Sequence, residues 1–183
     1  GNQFLGHIRE VDAIAHVVRR FENPDVLHVE HTIDPVRDHD IITTELALAD
    51  LATVEKRIER QRKAAKGLDK DAMAEVALLE RTGDALQRGA GAREAILGPF
   101  DAAMLRQLGL LTAKPVLYAA NVDEATLAAG QSPHVDALMK AAAAHHEQAE
   151  VVLFSAKLEA ELSALEEQER AEFLEAAGIT ESG

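Results

Sequence analysis

Apolar residues recur along this chain at two different spacings. Between about Asp38 and Lys66, Leu51, Val54, Ile58 and Ala65 follow steps of three and four, with Gln61 in the gap. That is the stripe of one helix face, and it predicts a single long helix. Ala72, Val76, Leu79 and Leu86 repeat the pattern. Between the two stripes, Gly67 suits the position just past a helix end and Asp69 suits an N-cap. Two striped helices with a short connection predict an antiparallel helical hairpin. It ends in the loop Gly89-Ala90-Gly91. Further helices are predicted around Phe4, Leu5 and Ile8, over Asp101–Leu108 with Asp101 as its cap, and over Pro133–His146. Two more follow at Glu159–Leu165 and Glu166–Ala176, the last stopped by Gly178.

The second spacing is the short unbroken apolar run of a buried strand. Asp12–Val18, the run ending at Asn121, and Val151–Phe154 read this way. Strands alternating with helices predict an α/β fold with a parallel sheet. The last two runs each pass into a polar loop, Asn121-Val122-Asp123-Glu124 and Ser155-Ala156-Lys157. The carboxyl ends of parallel strands are where open sheets place their ligands.

The histidines change this picture little. His16 lies within the first strand and reads as a buried, hydrogen-bonded core residue. Residues 22–34 form a loop around Asn23-Pro24-Asp25, carrying His28 and His31, with His39 following after Asp34 and Asp38. In an extended segment i and i+3 point to opposite faces, so no liganding pair emerges and a solvated loop is expected rather than a metal site. His145 and His146 at a helix end suit the helix dipole.

Composition narrows the class. Among 183 residues, 47% are hydrophobic and 3% aromatic, and no apolar run approaches the ~20 residues of a membrane span. Neither a basic n-region nor an apolar h-region opens the chain, so no secretory signal is expected. The absence of cysteine excludes disulfides and Cys-based zinc sites and fits a reducing cytoplasm. The net charge of −13 argues against general nucleic-acid binding. It is unevenly spread. Residues 56–70 hold Lys56, Arg57, Arg60, Arg62, Lys63, Lys66 and Lys70 against Glu59 and Asp69, a local +5 that leaves −18 on the rest. Residues 159–181 hold eight Glu and one Arg.

Two parallel strands with polar loops of this kind resemble the base-holding side of P-loop GTPases, where the loops read Asn-Lys-x-Asp and Ser-Ala-Lys. Here Glu124 stands where the Asp would be and Val122 where the Lys would be. That variant is similar to the YchF-type Obg-like ATPases, a branch of the GTPase superfamily. Gly1-Asn2-Gln3-Phe4-Leu5, Ile8–Ile14, Asp34–Asp38, Thr44–Leu51 and Leu111–Tyr118 agree with it, so the resemblance covers nearly the whole chain.

The resemblance implies the C-terminal part of a P-loop GTPase-like parallel-sheet domain with an inserted antiparallel, coiled-coil helical hairpin. The nucleotide-binding domain would occupy 1–37 and 109–165, the hairpin 38–108, and a terminal helix 166–183 would lead to a small TGS domain. It implies base recognition by Asn121, Val122, Glu124, Ser155, Ala156 and Lys157, with ATP preferred over GTP. A carboxylate read by guanine N1–H and N2–H₂ finds no such donor pair on adenine. No Gly-x-x-x-x-Gly-Lys-[Ser/Thr] or Asp-x-x-Gly pattern occurs here, so the phosphate and Mg²⁺ ligands are expected upstream and no catalytic residue is expected in this fragment. The family's ribosome association implies docking on ribosomal RNA by the basic hairpin tip, with Lys56, Arg57, Arg60, Lys63 and Lys66 facing solvent off the apolar stripe. The competing reading is a non-catalytic helical module that binds RNA or protein.

Overall fold

Helix and strand formation follow from residues that can be named. The computed structural model describes residues 2–19, 35–65, 69–144 and 149–179. In chain order these form α1 (Asn2–Glu10), β1 (Ile14–Arg19), α2 (Pro35–Ala65) and α3 (Lys70–Gln87). A 3-10 turn at Ala92–Ala95, α4 (Pro99–Gln107) and a second 3-10 turn at Leu111–Ala113 follow. The remainder is β2 (Val116–Asn121), α5 (Glu124–Ala129), α6 (Pro133–Ala144), β3 (Glu150–Phe154), α7 (Ala156–Ser163) and α8 (Glu167–Ala177). They divide into two compact units. One comprises Gly1–Ile14, Asp40–Pro115 and Ala142–Gln148, the other Ala15–His39, Val116–Ala141 and Ala149–Gly183.

The first unit is built on the long helix. α2 starts at Pro35, three residues before the expected Asp38, because proline's fixed φ and missing N–H suit the first helical position. Ala47 and Val54 of α2 pack with Leu78, Leu79 and Leu86 of α3, with Ala92 and Ala95, and with Leu105 and Leu110. Asp69 caps α3 as the sequence indicates, its carboxylate accepting from the N–H groups of Asp71 and Ala72. Gly67 and Lys66 lie outside the described residues. α4 begins at Pro99 behind Gly98, so Asp101 is not its cap. Asp101 sits in the first turn instead, where its Oδ2 accepts from Leu97 N–H at 2.9 Å and from Arg81 at 2.9 Å.

Two buried carboxylates organise this unit, and neither belongs to an apolar stripe. Glu75 of α3 is 6% exposed. It accepts from Arg57 Nε at 2.5 Å and from the amide of Gln61. Arg57 is therefore not the solvent-facing cation expected from its position off the stripe, but half of a brace between α2 and α3. Its bond to Glu75 holds the guanidinium pKa above its ordinary value.

Asp50 of α2 is fully buried. Its Oδ1 accepts from Leu111 N–H, and its Oδ2 from the N–H and hydroxyl of Thr112, each at 2.8 Å. Thr112 Oγ1 in turn accepts from Ala92 N–H at 2.8 Å. Arg9 of α1 approaches Asp50 Oδ1 at 3.6 Å while donating to the carbonyls of Ala49 and Gly109. Gly109 turns the chain out of α4 with φ 63°, a left-handed conformation that favours glycine. Lys114 donates back to the carbonyls of Arg9 and Val11, and Ile14 N–H bonds Pro115 O at 3.0 Å. This network ties the segment Gly109–Pro115 to α1 and α2 within the first unit.

The second unit holds the sheet, in the order β1-β2-β3. β2 and β3 run parallel, pairing Leu117 with Glu150, Ala119 with Val152 and Asn121 with Phe154. Tyr118 is 1% exposed, its ring 5.3 Å from that of His16 and 5.7 Å from that of His39. His16 is half-buried rather than fully buried. His39 is fully buried in α2, contrary to the solvated setting expected of it. His39 lies within the helix expected from about Asp38, and what its spacing did not show is its burial. His28, His31, His145 and His146 lie outside the described residues. α7 and α8 bury Leu158 and Leu162 with Ile179, against partly covered Leu127, Phe173 and Leu174. Gly178 ends α8 in the left-handed region, as expected.

Asp50 supplies a test of the first unit. Asp50→Asn keeps the volume but turns an NH₂ toward groups that are themselves donors, so at least one buried N–H or O–H loses its acceptor. The expected loss is about 1–3 kcal/mol of unfolding free energy, read from the midpoint of urea denaturation.

Candidate functional site

The candidate site stands at the carboxyl ends of β2 and β3. Their register places Asn121 beside Phe154, so both strands finish at the same level. Val122 N–H extends the ladder by one more bond, to Phe154 O at 2.8 Å. A helix then starts from each strand. Asp123 is the N-cap of α5, its Oδ1 accepting from Thr126 N–H at 2.7 Å. Ser155 is the N-cap of α7, its Oγ accepting from Leu158 N–H at 3.4 Å. Both are strong N-terminus residues, although the apolar pattern predicts no helix start at either. α7 consequently begins at Ala156, not Glu159, and Lys157 belongs to its first turn.

All six sequence-predicted positions fall in this one place, with different exposures. Asn121 is half-buried, and its Oδ1 accepts from Ala156 N–H at 3.0 Å, tying one strand end to the other. Val122 is 1% exposed, so its side chain offers almost no surface to a ligand. Ser155 is also buried. Ala156 and Lys157 are exposed and Glu124 partly so. Lys157 Nζ lies 2.9 Å from Glu124 Oε1 and 3.7 Å from Glu161 Oε1. The bond to Glu124, then the charges of Glu124 and Glu161, raise the Lys157 pKa above its ordinary value. Thr126 N–H, bonded to its carboxylate, lowers the pKa of Asp123.

The basic positions of α2 separate. Lys56, Arg60 and Lys63 are exposed. Arg57 is held by Glu75, and Arg62 pairs with Glu80 of α3 at 2.7 Å. Among the described residues no group of three or more His, Cys, Asp or Glu side chains could hold a metal ion, and no helix is long and apolar enough to cross a membrane.

A parallel sheet whose strand ends pass directly into capped helices defines an open α/β protein of the class that takes ligands at that edge. Comparison with known proteins narrows the class. No protein-family model matches the chain. Over all 183 residues it is 45% identical to the ribosome-binding ATPase YchF of Bacillus subtilis and 44% identical to that of Escherichia coli O157:H7. The structure of the Schizosaccharomyces pombe YchF GTPase superposes with a TM-score of 0.84 at 30% identity, covering 98% of this chain and 49% of that one. The chain belongs to the YchF-type Obg-like family. It spans about half the length of the curated relatives it matches.

Asp123→Ala removes the α5 cap and should cost about 1 kcal/mol locally. The sign with pH follows from the lowered pKa. The cap contributes fully above the ordinary carboxylate range, near ~4, and its contribution is lost as pH falls through the lower folded value. The Thr126 amide resonance, followed by NMR in an acid titration, should move with that loss, and the variant should lack the transition.

Proposed function

We propose that this chain is the base-recognising part and helical arm of a ribosome-associated nucleotide hydrolase that prefers ATP to GTP. The observation that carries the reading is the bond from Ala156 N–H to Asn121 Oδ1, which joins two loops of the kind that hold a base, in the order and spacing of the family. With its oxygen used in that bond, Asn121 turns its NH₂ half toward a ring-nitrogen acceptor. Ala156 and the stem of Lys157 supply the exposed wall. Val122 acts by omission: a buried valine replaces the lysine whose stem would lie along the base. Glu124 does the same at the position where an aspartate reads guanine.

In this reading the nucleotide's phosphates and their Mg²⁺ are held elsewhere in the full-length protein. The sequence has no Gly-x-x-x-x-Gly-Lys-[Ser/Thr] pattern. What the chain contributes is orientation and selection of the base; Mg²⁺, when bound, would supply charge neutralisation at the phosphates. Residues 1–37 and 109–165 belong to the nucleotide domain in this reading, 38–108 to the inserted hairpin, and 166–183 to a terminal helix.

The hairpin is the ribosome-facing arm. α2 and α3 are braced by Arg57–Glu75 and Arg62–Glu80, which suits a coiled-coil-like pair. Lys56, Arg60 and Lys63 remain on the exposed side. The acidic remainder repels RNA phosphate and leaves this patch as the docking surface. The bacterial relatives are named for ribosome binding, which fits such a partner.

Two experiments in the full-length protein test the reading. Glu124→Asp returns a carboxylate to the distance at which guanine is read. A charge-assisted pair of about 1.5–3 kcal/mol should shift the ATP/GTP affinity ratio by roughly ten- to a hundredfold toward GTP, measured by calorimetry. An unchanged ratio removes base selection from this loop. Changing Lys56, Arg60 and Lys63 together to Glu should abolish co-sedimentation with ribosomes while leaving helix content unaltered. Single changes should lower the slope of log affinity against log salt by about 0.7–0.9 for each phosphate that is no longer neutralised. Parental binding by the triple variant would move the docking surface elsewhere.

A further inference from the structure

Glu124 is misplaced for guanine by its length, but the structure also shows what that length reaches. Its carboxylate crosses from the first turn of α5 to the first turn of α7 and meets Lys157 Nζ at 2.9 Å. The two loops are thus joined twice, by Asn121 to Ala156 and by Glu124 to Lys157. Each bond uses a group that guanine would need. Guanine offers N1–H and N2–H₂ donors to a carboxylate, and its O6 accepts from an N–H. Here the carboxylate is engaged by an ammonium, and the Ala156 N–H by the Asn121 amide. Adenine has a donor at N6 and an acceptor at N1, so it asks for neither group in that sense and leaves both bonds intact.

We propose that Lys157 is a specificity-determining residue of this site: it holds Glu124 in an interhelical pair, and that pair adds to the length of the glutamate in denying guanine its carboxylate. The inference rests on the reading of these loops as the base site. Lys157 is a positioning residue here, acting on the base through Glu124. Its own placement is fixed from below. The Ser155 cap sets the direction of α7, and Lys157 lies one residue into the first turn. Glu161, one turn further on the same helix and 3.7 Å from Nζ, favours the ammonium on the same side of α7. An aspartate at 124, one methylene shorter, could not span the same gap without a shift of one helix.

The bland alternative is a solvated surface pair. Lys157 is 75% exposed, and exposed pairs contribute little to stability. A pair of that kind would affect both nucleotides alike, whereas a lock on Glu124 affects only the one that needs the carboxylate. The differential effect should be modest, roughly three- to fivefold, and should shrink as salt screens the pair.

The test measures dissociation constants for ATP and for GTP by calorimetry on the full-length protein, at low and high salt. Lys157→Met keeps the stem and removes the charge. GTP should gain on ATP by roughly three- to fivefold, the parental ratio should persist in Lys157→Arg, and adding Glu124→Gln to Lys157→Met should erase the gain. Asn121→Ala serves as the reference for the site itself. If Asn121→Ala weakens both nucleotides and Lys157→Met leaves their ratio unchanged, the base site stands and the lock is overturned. If neither change affects either nucleotide, the base-site reading fails and takes the lock with it. Because Lys157 is a surface side chain, circular dichroism of Lys157→Met should match that of the parent, which separates a changed ratio from a damaged fold.

Discussion

Parallel pairing of β2 with β3, in the register that sets Asn121 against Phe154, is the constraint on which the site depends. Side chains on a strand alternate by two, so a slip of one residue would turn Tyr118 and Ala120 out of the core and Asn121 into it. Burial of Tyr118 against His16 and His39 opposes that slip. With the register held, the two strands end level, and their following helices start side by side. Only then can an asparagine amide on one strand end bond the first helical N–H beyond the other. The chemistry of the loops is therefore a consequence of packing several residues back along the strands.

Polar groups without exposure carry much of the remaining specificity. Asp50 gathers three donors from Leu111 and Thr112, with Arg9 near by, and so fixes that segment within the first unit. Burial raises its pKa, while the bonds from Thr112 and Leu111 and the charge of Arg9 act in the other direction. Glu75 plays the corresponding part between α2 and α3. A buried carboxylate with good partners tolerates few alternatives, because any other register leaves a charge unpaired. Apolar stripes alone would allow α2 and α3 to slide by a turn. The brace from Arg57 and Gln61 discriminates against that.

In the proposed reading, the candidate site would select by groups already in use. An exposed loop that reads a base must present donors and acceptors, and here the principal ones are bonded across the loops before any ligand is considered. Such preorganisation favours a ligand that leaves those bonds in place over one that must break them. In the same reading the acidic bulk and the basic patch on α2 would act at longer range, on encounter with a charged partner rather than on choice of base.

Local sequence determined a good deal of this. Period and punctuation located the long helix pair, the two apolar runs and the Gly178 stop, because these depend on neighbours within a turn or two. The loop residues Asn121 to Glu124 and Ser155 to Lys157 were legible as a pair because two strand ends in one parallel sheet must lie at one edge. The tertiary structure decided what depends on distant partners. Arg57 has the spacing of a solvent-facing cation, and only the fold sets Glu75, eighteen residues on, opposite it. His39 lies at the polar start of the long helix, and only the fold packs Tyr118 against it. Asp50 gave no local signal of its role, since the groups that donate to it lie more than sixty residues away. Nor could spacing show that Glu124 reaches Lys157, because the length of a side chain becomes a function only when the fold supplies something at the end of it.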